Sequence, residues 1–307
     1  MEDLVDLSDK VAIVTGSGQG LGLAYAKELA RYGAAVVIND VNHEAVDRAV
    51  TDVIAAGGRA ADVVAPVGDG ASARELVAAA VEHFGRLDVM VTNAGILRDK
   101  VLWKMTDHDF DAVIDVHVKG TFTCVREAVH RFREQGDGGR IICIGSPAGQ
   151  RGNFGQTNYS GAKAAIVGMV RTWAMELQRA GITANAVIPV AATAMTETIG
   201  FLAPYIASMK NGEPLPEIIR REVGMGAPED VAGLVAFLAS DAAAEITGQA
   251  IAIGGDRLGL WSHPTLTVTA FQDGGFSADD IAAQWPTTFA DHLESVGEEF
   301  PAELVGK

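Results

Sequence analysis

A chain of 307 residues with 48% hydrophobic residues has enough apolar material for one large buried core, which excludes an intrinsically disordered protein. Its formal net charge of −16 repels phosphate backbones and anionic lipid surfaces, so neither nucleic acid nor a membrane is an expected partner. The opening MEDLVDLSDKVAIVTG lacks a basic region followed by an apolar stretch, and nowhere do about 18 apolar residues run together; the expectation is a soluble, cytoplasmic protein. Cys124 and Cys143 have no metal-ligand spacing and read as small buried hydrophobes, so no metal site is expected.

Along the chain, short runs rich in Val and Ile recur: VAIVT at 11–15, AVVIN at 35–39, LDVMVT at 87–92, RIICIG at 140–145, ITANAVI at 182–188 and QAIAI at 249–253. Each is almost continuously hydrophobic, as central parallel strands covered on both faces are. Longer amphipathic stretches between them predict helices over Leu21–Arg31, Glu44–Ala56, Ala73–Phe84, Asp109–Arg133, Gly161–Arg179 and Glu229–Leu238. Strand-then-helix repetition implies an α/β fold, a doubly wound parallel sheet of the Rossmann type with seven strands, helices on both faces and ligands at the carboxyl ends of the strands. Two regions break the rhythm. Residues from about 195 to 226, with Pro204, Pro214 and Pro216, read as a helical insertion broken by loops within a catalytic domain spanning 1–256. After Gly255 the periodicity stops, and 257–307 reads as a C-terminal extension with one or two short helices, either surface elaboration or a lid or subunit contact.

Directly after the first strand, Thr15-Gly16-Ser17-Gly18-Gln19-Gly20-Leu21-Gly22 leads straight into a helix. Glycines let the backbone approach a pyrophosphate, and the helix amino terminus offers unpaired N–H groups and partial positive charge to the anion. The spacing does not match G-x-G-x-x-G, because Leu21 occupies the third glycine position, but it matches T-G-x-x-x-G-x-G. Gly16, Ser17, Gln19, Gly20, Leu21 and Gly22 are therefore the expected dinucleotide contacts. Asp40 closes the second strand, where a carboxylate accepts hydrogen bonds from ribose hydroxyls and repels a 2′-phosphate. No basic residue lies in the turn, and Val41 and Asn42 follow Asp40, so NAD is favoured over NADP.

Tyr159 and Lys163 stand four apart in NYSGAK and project from one helix face. An ammonium nearby can lower a phenol from its ordinary pKa of about 10 by one to three units, preparing it to exchange a proton with an alcohol or ketone. Ser146, at the end of RIICIGS, is placed to hydrogen-bond the substrate oxygen; no G-x-S-x-G elbow surrounds it, which argues against a nucleophilic serine.

Ser146, Tyr159 and Lys163 together with Asn93-Ala94-Gly95, the glycine turn and GAPEDVAGLVAFLASDAAAEITGQ resemble the short-chain dehydrogenase/reductase family over about residues 8 to 255. The resemblance implies an enzyme in which Tyr159 is the acid/base, Lys163 lowers its pKa and bonds the nicotinamide ribose, Ser146 orients the substrate, and Asn93, Ala94 and Gly95 line the cofactor cleft. It also implies a homodimer or homotetramer. The chain departs from the family at several places. His117 replaces an asparagine that shapes a proton-relay water site, and is counted with the catalytic residues either as an inert replacement or as a titrating member. Val67 keeps its expected contact with the adenine, but Pro66 stands where an acidic residue is usual. Pro189 is followed by Val190 and not glycine, and Thr193 comes one position early, which leaves the carboxamide contacts of Pro189 and Thr193 open.

NAGILRDKVLWKM and GQRGNFGQTNYSGAK are most similar to dehydrogenases of 3-hydroxyacyl thioesters, including the (3R)-hydroxyacyl-CoA branch of multifunctional β-oxidation proteins, and the FSADD tail is similar to bacterial relatives linked to steroid side-chain oxidation. The implied reaction is 3-hydroxyacyl-CoA to 3-oxoacyl-CoA, with Arg98, Lys100 and Lys104 as a basic edge for coenzyme A phosphates. A 3-oxoacyl carrier-protein reductase, a hydroxysteroid dehydrogenase and a non-catalytic NAD-binding sensor are the alternatives.

Overall fold

The structure is a computed structural model that describes residues 4–192 and 202–305. Its elements run β1 (Val11–Val14), α1 (Gly20–Arg31), β2 (Ala35–Asp40), α2 (His43–Ala55), β3 (Arg59–Val64), α3 (Gly70–Phe84), β4 (Val89–Thr92), α4 (Asp107–Ile114), α5 (Gly120–Gln135), β5 (Gly139–Ile144), α6 (Ala148–Arg151), α7 (Thr157–Leu177), β6 (Ile182–Pro189), α8 (Ala203–Lys210), α9 (Glu229–Ala239), β7 (Ala250–Gly254), β8 (Arg257–Trp261), α10 (Ala278–Thr288) and α11 (Ala302–Val305). The strands form one sheet in the order β3-β2-β1-β4-β5-β6-β7-β8, parallel except for the last pair. Strand order reverses between β1 and β4, so the carboxyl ends of these strands open a crevice at the switch point.

Side chains alternate across the strands between two cores. Ala12, Val14, Val36 and Ile38 face α1, α2 and α9, whereas Val11, Ile13, Ala35 and Val37 face α3, α5 and α7. This two-sided burial makes the runs continuously apolar, and each large side chain taken out of water contributes about 1.5–3 kcal/mol. β3 has no such run, because on the sheet edge its residues alternate between exposed and buried.

The sheet has one strand more than the expected seven. β8 turns back on β7 through the two residues Gly255 and Asp256, with Gly255 at φ +51°, and pairs antiparallel from Gly254↔Arg257 to Ala250↔Trp261. A Gly-Asp pair is a two-residue hairpin signal, and it sits where the helical period ends. The expected helix over Asp109–Arg133 is present as one helical run, α4 passing into α5 through a π-helical turn at Asp115–Lys119. Of the insertion expected at about 195–226, residues 195–201 lie outside the described part; the remainder holds α8 and a π-type turn at Ile219–Val223.

Phe132 of α5 is 1% exposed, and its ring lies where a side chain on Gly139 would stand. Phe132→Ala should cost about 3–5 kcal/mol through lost burial and a residual cavity, read as a lowered urea midpoint; an unchanged midpoint would mean that this face of the sheet is not tightly packed.

Candidate active site

Several of the expected site residues sit at or just past the carboxyl ends of parallel strands: Gly16 after β1, Asp40 at the end of β2, Asn93 after β4, Ser146 after β5 and Pro189 at the end of β6. The turn after β1 is held by its own polar groups. Ser17 is fully buried: its N–H donates to the Asn39 carbonyl at 2.7 Å, its hydroxyl donates to the Val14 carbonyl at 2.7 Å, and it accepts from the Asn39 N–H at 3.0 Å. The expectation of Ser17 as a dinucleotide contact is therefore corrected; it ties the turn to β2 and has no surface left for a ligand. Asn93 acts similarly from the other side, its Nδ2 donating to the Thr15 and Gly16 carbonyls at 3.0 Å each.

The glycines show why the turn tolerates nothing larger. A Cβ on Gly22 would stand 2.2 Å from the Gly16 carbonyl oxygen, and one on Gly16, at φ +62°, would stand 2.7 Å from the Ala94 Cα. Gly20, at φ +58°, has nothing within 4 Å of its missing Cβ, so the start of α1 opens into space. Gln19, the residue capping α1, makes no side-chain capping bond, so the first N–H groups of the helix are available to an anion. Asp40 overhangs this turn: its Oδ2 accepts from the Gly18 N–H at 3.3 Å and its Oδ1 from the Asn42 N–H at 3.2 Å. An open glycine cradle, exposed helix N–H groups and a carboxylate beside them fit the pyrophosphate and ribose of a dinucleotide. Leu21 and Gln19 border the same opening, half-buried and exposed respectively. Val67 packs over Gly120, which has no Cβ to obstruct it, and Asp69 caps α3 by accepting from the Ala71 and Ser72 N–H groups.

The reacting groups join this cleft through unbroken contact. Gly16 abuts Ala94, Gly95 abuts the His117 ring, and the His117 ring meets the Tyr159 ring edge-on with centroids 5.2 Å apart. Tyr159 shares a hydrogen bond with Ser146. Lys163, 3% exposed, donates from Nζ to the Ile144 carbonyl at 2.7 Å and lies 5.6 Å from the centre of the Tyr159 ring.

The electrostatics differ from the expectation for the tyrosine. Burial pushes the Tyr159 phenol up from its ordinary value, the Ser146 hydrogen bond opposes this, and Asp99 adds to the rise. The Lys163 ammonium is itself desolvated, brought down to about 8, and is directed at the Ile144 carbonyl. His117 is 1% exposed and held near 3 by burial first and by the charge of Lys163 second. Its Nε2 is 2.9 Å from the Ile96 carbonyl and 3.1 Å from the Ile96 N–H, and its Nδ1 has no partner. A ring held neutral in this way is a brace for the Ile96 loop and not a group that titrates near neutrality.

Two positioning residues escape sequence reasoning. Asn158 is fully buried; its Nδ2 donates to the Arg98 and Asp109 carbonyls, and its Oδ1 accepts from the Tyr159 N–H at 2.8 Å, tying the start of α7 to the loop after β4. Its position directly before the tyrosine was the available signal. Gly149 lets α6 lie on α7, since a Cβ there would come within 2.6 Å of the Lys163 backbone. The expected basic edge is reduced: Lys100 pairs with Asp109 at 2.7 Å, leaving Arg98 and Lys104 as its exposed cations. Pro189 lies half-buried at the cleft, and Thr193 lies outside the described residues. Both cysteines are buried and unoxidised, with thiols pushed up to about 12. No group of His, Cys, Asp and Glu suited to a metal ion occurs among the described residues, nor any helix long and apolar enough to cross a membrane.

Comparisons with known proteins give the family. A family model described as enoyl-(acyl carrier protein) reductase matches residues 16–255. A 3-oxoacyl-[acyl-carrier-protein] reductase from Synechocystis is 42% identical over 81% of this chain and 97% of its own. Hydroxyacyl-CoA dehydrogenase ChsB1 from Mycobacterium tuberculosis is 40% identical over 88% of this chain and 84% of its own. The crystal structure of a short chain dehydrogenase from Mycobacterium avium superposes with a TM-score of 0.79 at 33% identity, covering 97% of this chain and 98% of that one. The chain belongs to the short-chain dehydrogenase/reductase family, whose members are oxidoreductases that use a nicotinamide dinucleotide.

Proposed function

We propose that the chain interconverts a secondary alcohol and a ketone with NAD, the pair being a 3-hydroxyacyl-CoA and its 3-oxoacyl-CoA. The observation that supports the reading is the continuous contact from Gly16 through Ala94, Gly95 and His117 to Tyr159, as expected if the phenol borders the cleft that holds the dinucleotide. The hydroxyacyl-CoA dehydrogenase relative supports the thioester, and Asp40 supports NAD.

A bound nicotinamide dinucleotide supplies or accepts the hydride. The protein does the rest. Gly16, Gly20, Gly22 and the opening of α1 hold the pyrophosphate, Asp40 accepts from the adenosine ribose hydroxyls, and Val67 and Asn93 to Gly95 flank the cofactor. Lys163 bonds the nicotinamide ribose. Ser146 donates to the substrate oxygen and fixes its direction, and the Tyr159 hydroxyl gives its proton to a ketone oxygen or takes one from an alcohol. The raised phenol stays protonated through neutral pH, which suits it as the acid of ketone reduction. We further propose a cytoplasmic homodimer or homotetramer, on family resemblance; sedimentation of the purified chain tests the oligomer.

The Synechocystis relative favours a second reading, a 3-oxoacyl carrier-protein reductase. Asp40 separates the two, because its carboxylate opposes the 2′-phosphate of NADPH. Asp40→Ala should raise the KM for NAD about tenfold or more, consistent with ~1.5–3 kcal/mol for hydrogen bonds to a charged group, and improve use of NADP; equal use of both cofactors by the unaltered enzyme would favour the reductase.

Tyr159→Phe should lower kcat by about 10²–10⁴ with a small change in KM, followed as reduced-nicotinamide absorbance with 3-hydroxyacyl-CoA. Retention of full turnover would remove the phenol from the chemistry. Ketone reduction should be level from about pH 6 and decline as pH rises through about 8, where Lys163 loses its proton. His117, neutral above about 3, should add no inflection near 6.5; an inflection there that disappears in His117→Gln would reverse its assignment as a brace.

A further inference from the structure

Beyond β8 the chain crosses the surface with mostly exposed side chains, forms α10 and a short turn at Ala290–His292, and returns at 295–304 to the substrate half of the cleft. Two anchors hold it there. At one, Arg151, the last residue of α6, donates from Nε to the Gly297 carbonyl at 3.1 Å and from Nη2 to the Ser295 carbonyl at 3.2 Å, the Ser295 hydroxyl at 3.1 Å and Glu299 Oε1 at 3.3 Å. The Gly297 N–H returns a bond to the Arg151 carbonyl at 2.7 Å. At the other, Phe300 and Leu304 pack on an apolar cluster that includes Ala192, Leu202, Ile206 and Met225.

The placement of these anchors matters more than their number. Arg151 lies on the segment that leaves the carboxyl end of β5, between Ser146 and Tyr159, and Ala192 lies on the segment that leaves β6. One stretch of tail thus joins the segment after β5 to the segment after β6, on the side of the reacting groups. The Arg151–Glu299 ion pair is a minor part, since Glu299 is 77% exposed and such pairs contribute little in water. The anchoring comes from the guanidinium's bonds to backbone carbonyls, the returned backbone bond and the apolar packing.

We propose that residues 295–304 are a strap that forms the outer wall of the substrate site and sets the size of acyl group admitted, with Arg151 as its positioning residue. This rests on the reading of the chain as a 3-hydroxyacyl-CoA dehydrogenase. A short acyl group ends before reaching the strap, whereas a long or polycyclic one must lie against it.

The test compares 3-hydroxybutyryl-CoA with 3-hydroxypalmitoyl-CoA in the full-length enzyme and in Arg151→Ala. The ratio of kcat/KM for the long thioester to that for the short one should change at least tenfold in the variant. A parallel fall with both substrates, or no change in either, overturns the proposal. Phe300→Ala releases the second anchor and should shift the ratio in the same direction, so a failure of Arg151→Ala to fold does not end the test. If the unaltered enzyme oxidises neither thioester, it is the proposed function that has failed. The strap is then judged by amide hydrogen exchange: loosening it should speed exchange in 146–156 and 203–225 together with 295–304, and acceleration confined to 295–304 overturns it.

Discussion

A lysine ammonium with almost no access to water is the constraint from which the rest of this site follows. Lys163 is 3% exposed, and taking its charge out of solvent is unfavourable enough to bring it down to about 8. The Ile144 carbonyl, at the end of β5, accepts from it at 2.7 Å. That bond fixes α7 against the sheet, and Gly149 lets α6 close over the same place. With α7 so placed, Tyr159, one turn earlier, faces Ser146 on one side and His117 on the other. The raised phenol is the consequence: the low-polarity setting that holds the lysine also desolvates the tyrosine, and burial outweighs the Ser146 hydrogen bond.

The second half of the site depends on close backbone approach. Gly16 and Gly22 can touch each other and Ala94 only because they lack side chains, and Thr15, Ser17, Asn39 and Asn93 lock that approach with buried hydrogen bonds. Those four side chains build the cradle. The same logic explains the π-type turn at Asp115–Lys119. It departs from α-helical spacing at the point where His117 must reach back to Ile96, so the irregularity sets the ring beside both Gly95 and Tyr159.

Much of this was legible in the sequence, because parallel strands buried on both faces produce a strong apolar signal and because the glycine turn, Asp40, Ser146, Tyr159 and Lys163 carry their chemistry in their identity. What escaped was set by context. β3 lies on an edge and loses its continuous apolar run; β8 is entered by a hairpin in a region where helical periodicity had ended. Ser17 looks like a ligand-facing residue until its hydroxyl and N–H are seen committed to Val14 and Asn39. Lys100 looks like an available cation until Asp109 is found beside it. Hydrogen-bond partners distant in sequence decide these roles, and spacing along one chain does not report them.

Charge poses the remaining physical question, since a chain of net charge −16 must attract a dinucleotide that is itself anionic. Side-chain cations do not solve it at the turn, which contains none, and Asp40 adds negative charge 3.3 Å from the Gly18 N–H. The attraction has to come from fixed backbone dipoles: the uncapped N–H groups at the start of α1 act at contact distance, where the long-range repulsion of scattered surface carboxylates is screened over a Debye length of about 8 Å at physiological salt. Such a site is selective as well as attractive. It accommodates phosphate where the glycines let it reach those N–H groups, and the Asp40 carboxylate stands beside them. Short-range dipoles of this kind recognise a dinucleotide against the unfavourable field of the whole acidic chain.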